Sequence, residues 1–337
     1  STHPAARVWL RDHVWPTIHT GVKVAMHFRD LGAHFNISGI AHGGTCTARL
    51  KRGAVITKTI ARLPTTYSRK AALVRRKVLA AALYGVASSH CSDSAVNGLR
   101  SAIVDTIVPK STLRSPCLAF EIGSCGEDLD PTIQIMARRG VEFRRCMGKY
   151  PDMVAKVNTI HAFYTERGFC GTPQPNTEVR SLVPAPPHAH AGRTHWRTPF
   201  TAMGPVGFLL HDIHCLGAVL DKEWNVCRHA ENPINLLEEP WQHLRPCLIM
   251  AAKLARSKAA AGTRSVIGSC LEIDTPVLAR AIRAILPGNE ECIKYLASAG
   301  AWSEAAKVTA RFASDGKCPH CGAENQDIVH TIYVCPG

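Results

Sequence analysis

The final residues constrain this chain most: Cys318, Cys321, His330 and Cys335 form a C-x2-C-x8-H-x4-C array that begins Lys317-Cys318-Pro319-His320-Cys321-Gly322. Four soft donors at this spacing close a tetrahedron around one zinc ion. The Cys-x2-Cys pair makes a tight knuckle, Gly322 permits the backbone turn behind it, and His330 and Cys335 complete the ligand set. A small metal-stapled module is therefore expected over residues 317–337, with structural Zn2+. His320, between the two cysteines, reads as a surface residue.

The chain's 337 residues suffice for two domains or more, and its net charge of +14 is unevenly spread. Residues 1–150 carry a net +13, whereas residues 151–337 carry +1. No carboxylate lies between Asp30 and Asp93, a window that holds Arg49, Lys51, Arg52, Lys58, Arg62, Arg69, Lys70, Arg75, Arg76 and Lys77. Such a field attracts polyanions, and these ten residues are the candidate phosphate contacts. Lys317 and Tyr333 of the terminal module are candidates too, Tyr333 by stacking on a base or, equally, by packing on Ile328 or Ile332.

No apolar run long enough to span a bilayer and no secretory leader is present, so the expectation is no membrane partner. Cys46, Cys91, Cys117, Cys146, Cys170, Cys215 and Cys270 are scattered singly, unlike a disulfide framework, which points to an intracellular, reducing setting in nucleus or cytoplasm. The chain opens on Ser1 and stops two residues after Cys335, which suggests a piece of a longer protein.

Residues 22–37 alternate apolar and polar positions around Asp30 to Gly32 and predict a short hairpin. Helices are expected over about 45–62, ended by Pro64, and over Ser68 to Gly85, with Val74, Val78, Ala81 and Ala82 on the apolar side. Further helices are expected over 93–108 and 131–148, the latter capped by Asp130 and started by Pro131. Arg138, Arg139, Arg144 and Arg145 on that helix serve either solvent or phosphate. The Pro-rich stretch 171–205 reads as a linker, and its His188, His190 and His195 as exposed. Segments 206–230, 236–260, 276–286 and 290–312 read as helices. The domain expectation is thus 1–45, 46–170, the linker 171–205, 206–316 and 317–337.

Catalytic signatures are largely missing. There is no G-x-x-x-x-G-K-[ST] loop, no G-x-S-x-G elbow, no H-E-x-x-H and no adjacent Asp pair. The acidic cluster Glu127, Asp128 and Asp130 reads as helix capping rather than metal binding. His229-Ala230-Glu231 matches half of a zinc nucleobase deaminase signature. Cys318 and Cys321 already have His330 and Cys335 as partners, however, and a saturated zinc leaves no place for the attacking water.

Three features in order, Phe28-Arg29-Asp30-Leu31-Gly32-Ala33-His34, the acid-free basic helical pair with Arg69-Lys70 and Leu83-Tyr84-Gly85, and the knuckle ending His330-Thr331-Ile332-Tyr333-Val334-Cys335-Pro336, carry a resemblance. The chain resembles the region after the catalytic palm in reverse transcriptases of non-LTR (LINE-like) retrotransposons, moderately over 20–150 and well over 318–336. The resemblance implies that residues 1–45 end a palm-like unit, with Leu31-Gly32 at its strand signature. It implies that 46–170 form a thumb-like region gripping template and primer, and that Cys318, Cys321, His330 and Cys335 hold zinc. The family's paired catalytic aspartates are absent here, so Mg2+ enters only with a parent RNA-directed DNA polymerase, and this chain alone is not expected to polymerise.

The fold expectation is mainly α, with a short N-terminal β hairpin, a thumb-like helical region, further helices and the zinc knuckle. The functional expectation is an RNA- or DNA-binding segment of a retroelement reverse transcriptase. The alternatives are a zinc-stapled helical protein-interaction module and, third, a zinc-dependent deaminase.

Overall fold

The computed structural model describes residues 43–111, 114–124, 128–166, 204–215, 219–227, 233–263, 290–298, 303–312, 314–324, 326, 327, 330, 335 and 336, and short stretches before residue 43. Its described residues are mostly helical. Two compact units are interleaved in sequence: unit 1 gathers Ser1–Gly53, Ala80–Gly98 and Pro131–Ala251, and unit 2 gathers Ala54–Leu79, Leu99–Asp130 and Ala252–Gly337. Among the described residues no helix is long and apolar enough to cross a membrane. Residues 171–203 of the Pro-rich stretch with its three histidines, the segment 276–286, His229, Glu231, Leu31-Gly32 and Tyr333 lie outside the described residues, and the stretch's last two residues, Gly204 and Pro205, begin a helix and not a linker.

Near the N-terminus, β1 (Val14–Trp15) pairs with β2 (Thr20–Gly21). The expected hairpin follows: β3 (His27–Asp30) and β4 (Ala33–Asn36) pair antiparallel, with Phe28 opposite Phe35. Helix α1 (Gly44–Ala61) buries Cys46, Leu50, Gly53, Thr57 and Ile60, the three-and-four spacing of one helix face, and turns Lys51, Arg52 and Lys58 outward. Helix α2 (Tyr67–Leu73) starts at Thr66, whose hydroxyl accepts from the Arg69 N–H at 3.3 Å.

The chain then widens into a π-helical stretch, Val74–Leu79, before a last turn at Ala80–Ala82. Val74 and Val78 point inward, and the three cations between them, Arg75, Arg76 and Lys77, all face outward. Ala81, expected on the apolar side, is exposed, because the wider turn shifts the face inward to Leu79 and Ala82.

In unit 1 the hub is α5 (Pro131–Lys149), which follows α3 (Asp93–Ile107) and α4 (Pro116–Gly123) in the chain. It packs against α7 (Gly204–Cys215), which also lies on α6 (Met153–Thr165). Phe143 stacks on Trp224 at 4.8 Å, and the Trp224 indole N–H donates to Asn158 Oδ1 at 2.8 Å.

The four arginines of α5 are occupied by protein. Arg139 is buried and donates to Val86 O and Ser89 O, with Asp212 Oδ2 2.7 Å from Nη1. Arg138 donates to Leu83 O, Arg144 to Glu239 O and Arg145 to Glu142 while lying over the Trp241 ring.

The expected helix over 206–230 stops at Cys215. Beyond it, β5 (Val219–Leu220), β6 (Asn225–Cys227) and β7 (Ile234–Asn235) form an antiparallel sheet. Its first turn is made by Asp221, whose carboxylate accepts from the backbone N–H of Glu223 and Asn225, a local alternative that competes with helix. Trp224 completes the turn at φ 67°.

Helix α8 (Trp241–Thr263) follows. The expected 290–312 helix is two, α9 (Glu290–Ala297) and α10 (Glu304–Thr309), with Ser298 donating its N–H to Lys294 O and accepting from the Ser115 N–H between them.

Unit 2 is built on Leu99, Ile103, Ile107, Leu118, Phe120 and Leu129, all buried. Beside them sits a buried ion cluster. Arg256 donates to Glu121 Oε1, to Asp128 Oδ2 at 3.2 Å and to Asp130 Oδ2 at 3.2 Å. Arg100 also donates to Asp130 at 3.0 Å, and both guanidinium groups lie over the Phe120 ring. Asp128 and Asp130 are thus counter-ions of Arg100 and Arg256 and not merely helix-capping residues. Glu127 lies outside the described residues.

Candidate metal centre and basic cleft

Two features of unit 2 carry the candidate chemistry. The first is the terminal array. The ligand atoms of Cys318, Cys321, His330 and Cys335 all lie within 4.8 Å of one another. Cys318 Sγ is 3.6 Å from Cys335 Sγ, and Cys321 Sγ is 3.2 Å from His330 Nε2, separations that suit donors about 2.3 Å and 2.0 Å from a common tetrahedral centre.

The backbone builds this geometry. Gly322 at φ 74° donates its N–H to Cys318 O, and the Cys318 N–H donates to Ala323 O, which folds the Cys-x2-Cys knuckle. The N–H groups of Cys321 and His320 point at Cys318 Sγ and, with His330 and Cys335 beside it, lower its thiol to about 6. A thiol ionised near neutral pH is the form a metal needs. His320 itself is exposed, as expected for a residue outside the ligand set.

The knuckle is tied to α10. Gln326 receives the Glu304 N–H on its side-chain oxygen at 2.7 Å and the Ala305 N–H on its backbone carbonyl at 3.0 Å, so a residue inside the metal loop caps the helix. His330 is steered by its own N–H donating to Asp327 Oδ1 at 2.7 Å. Three cysteines and a histidine, packed this closely, could hold a metal such as zinc.

The second feature is a cleft of about 1090 Å³ lined by Lys58, Arg62, Tyr67, Lys70, Asp105, Lys110, Glu291 and Tyr295, among others. The end of α1 supplies Lys58 and, just beyond it, Arg62; α2 supplies Tyr67 and Lys70. Lys70 donates to Ala61 O at 2.9 Å and lies 5.2 Å from the Tyr67 ring centre. The two carboxylates are engaged locally: Asp105 pairs with Arg114, and Glu291 accepts from the Tyr67 hydroxyl at 3.1 Å. Lys58, Arg62 and Lys110 remain exposed at the rim, so the cleft is electropositive with aromatic walls.

Of the sequence candidates, Lys58, Arg62 and Lys70 meet in this cleft. Arg69, Arg75, Arg76 and Lys77 are exposed elsewhere in unit 2, as is Lys317. Lys51 and Arg52 are exposed in unit 1, and Arg49 donates to Tyr84 O at 2.9 Å while covering the Tyr84 ring. Charge density missed Tyr67, Lys110 and Tyr295. Only Tyr67 had a local signal, its i,i+3 spacing to Lys70 on one helix face.

No protein-family model, curated protein or solved structure matches this chain.

Proposed function

We propose that the protein binds RNA or DNA through the basic cleft of unit 2, as the segment that follows the palm in a non-LTR retrotransposon reverse transcriptase, with a structural zinc at its terminal knuckle. The observation that supports this most is the meeting of Lys58, Arg62, Lys70 and Lys110 beside two tyrosines. Cations neutralise successive phosphates without reading sequence, and of the two rings Tyr295 would receive an unstacked base, since Lys70 and Lys294 already lie over Tyr67. Zinc would join the four ligands into a closed site with no position for a water nucleophile, so its role is to fold the loop and present Lys317. That closure also argues against deaminase chemistry at Cys318 and Cys321.

A titration of fluorescent single-stranded RNA and DNA at rising salt tests the reading. The affinity of the full chain should fall steeply, and replacing Lys58, Arg62 and Lys110 together by Ala should flatten the slope of log K against log salt by roughly two. A slope near zero in the unaltered protein would remove nucleic acid. It would favour the interaction-module reading, for which the exposed Val55, Ile56 and Leu63 on and just after α1 are the supporting surface.

A further inference from the structure

Cys46 and Cys91, distant in sequence and expected to be solitary, meet in unit 1 with their sulfurs 3.2 Å apart. The approach is built. A Cβ on Gly43 would lie 1.8 Å from His90 O, so only glycine lets the start of α1 settle against the His90-Cys91 backbone. On the other side Arg139 grips the segment before Cys91 through Val86 O and Ser89 O, and its Nη2 lies 3.7 Å from Cys91 Sγ. Asp212 balances that buried charge without reaching the sulfurs in any bond described.

We propose that Cys46 and Cys91 form a peroxide-responsive dithiol that closes into a disulfide joining the start of α1 to the loop before α3. The Cys46 thiolate attacks one oxygen of hydrogen peroxide, the O–O bond breaks, and the departing hydroxide takes up the proton Cys46 had lost and leaves as water. Cys91 then attacks the sulfur of the Cys46 sulfenic acid. The S–S bond forms, the S–O bond breaks, and a second water leaves with the Cys91 proton. Two thiols are oxidised and one peroxide is reduced by two electrons.

Either sulfur can donate across the 3.2 Å contact. With Cys91 as donor, and with Arg139 and Arg49 nearby against burial, Cys46 is drawn below the ordinary thiol range, while the same bond and burial push Cys91 up against the pull of Arg139. Cys46 is 2% exposed and Cys91 8%, which keeps a peptide disulfide from either sulfur.

The test treats the full chain with hydrogen peroxide or with glutathione disulfide and maps a non-reducing digest by mass spectrometry. Peroxide should yield a cross-linked pair of peptides containing Cys46 and Cys91, reversed by dithiothreitol, and a melting temperature several degrees above that of the reduced chain. Glutathione disulfide should leave both thiols unmodified while capping the exposed Cys146. In Cys91→Ser, Cys46 should accumulate as a dimedone-trapped sulfenic acid. The proposal is overturned if Cys46 and Cys91 still alkylate as thiols in the peroxide-treated unaltered chain, if either pairs with a different cysteine, or if glutathione caps either one.

Discussion

Replacing Asp128 by Asn should make the protein more tolerant of rising pH, the opposite of what losing an ion-pair partner usually does. The Asp128 side chain is wholly buried, and burial lifts its carboxyl from the ordinary 3.8 to about 6, with Arg256 pulling it down and Asp130 pushing it further up. A carboxyl whose folded pKa is raised stabilises the fold fully below the unfolded value, and that contribution is lost as pH rises through the folded value. The gap between the two values corresponds to about 3 kcal/mol, lost between roughly pH 4 and pH 6.

Asn keeps an oxygen for the Asp130 N–H, now received by Asp128 Oδ1 at 2.6 Å, and Arg256 retains Glu121 and Asp130. Urea unfolding of both proteins across this pH range reads the effect, since titrating groups remote from Asp128 cancel in the difference. The unaltered protein should lose about 3 kcal/mol relative to the variant as pH rises, with a flat difference on either side. A difference that stays flat, or that grows in favour of the unaltered protein, would refute the claim that desolvation outweighs Arg256 at this carboxylate.

Arg256→Met should have the contrary result at neutral pH, a loss of about 3–5 kcal/mol in chemical denaturation, because Glu121, Asp128 and Asp130 would then share a buried space with only Arg100 and Lys253 near them. Gly123→Ala should lower the melting temperature by the equivalent of about 1–3 kcal/mol, since the new methyl would sit 2.6 Å from Ile107 Cγ1, a branched side chain with little room to turn. Cys321→Ser should reduce zinc measured by atomic absorption well below one ion per chain, and Gln326→Ala should leave zinc bound while costing about 1 kcal/mol of stability through the lost cap on α10.

What the sequence disclosed and what it hid divide by the range of the interactions. The knuckle was legible because its four ligands lie within one short loop, where spacing alone sets geometry. Helix α1 was legible because Cys46, Leu50, Thr57 and Ile60 repeat at the period of one buried face. The sheet at Val219–Asn235 was not, because the apolar positions around it suit either structure and the deciding element is a carboxylate, Asp221, that binds its own backbone. The fate of the α5 arginines was equally hidden: Arg138 and Arg139 are adjacent in sequence, yet one guanidinium is half-buried and the other buried, and Asp212, which decides it, is a chain segment away.

The same distance rule governs the candidate sites. Charge counting identified Lys58, Arg62 and Lys70 because the acid-free window is a property of local composition. It could not supply the cleft, which exists only because Tyr67 meets Glu291 and Tyr295 comes to the same wall from a helix more than two hundred residues on. Nor could it pair Cys46 with Cys91, whose contact depends on a glycine beside one and a buried arginine beside the other. Local sequence therefore specifies which groups carry charge or bind metal, whereas long-range packing decides which of them meet, and the perturbations most informative for this protein are those of the second kind.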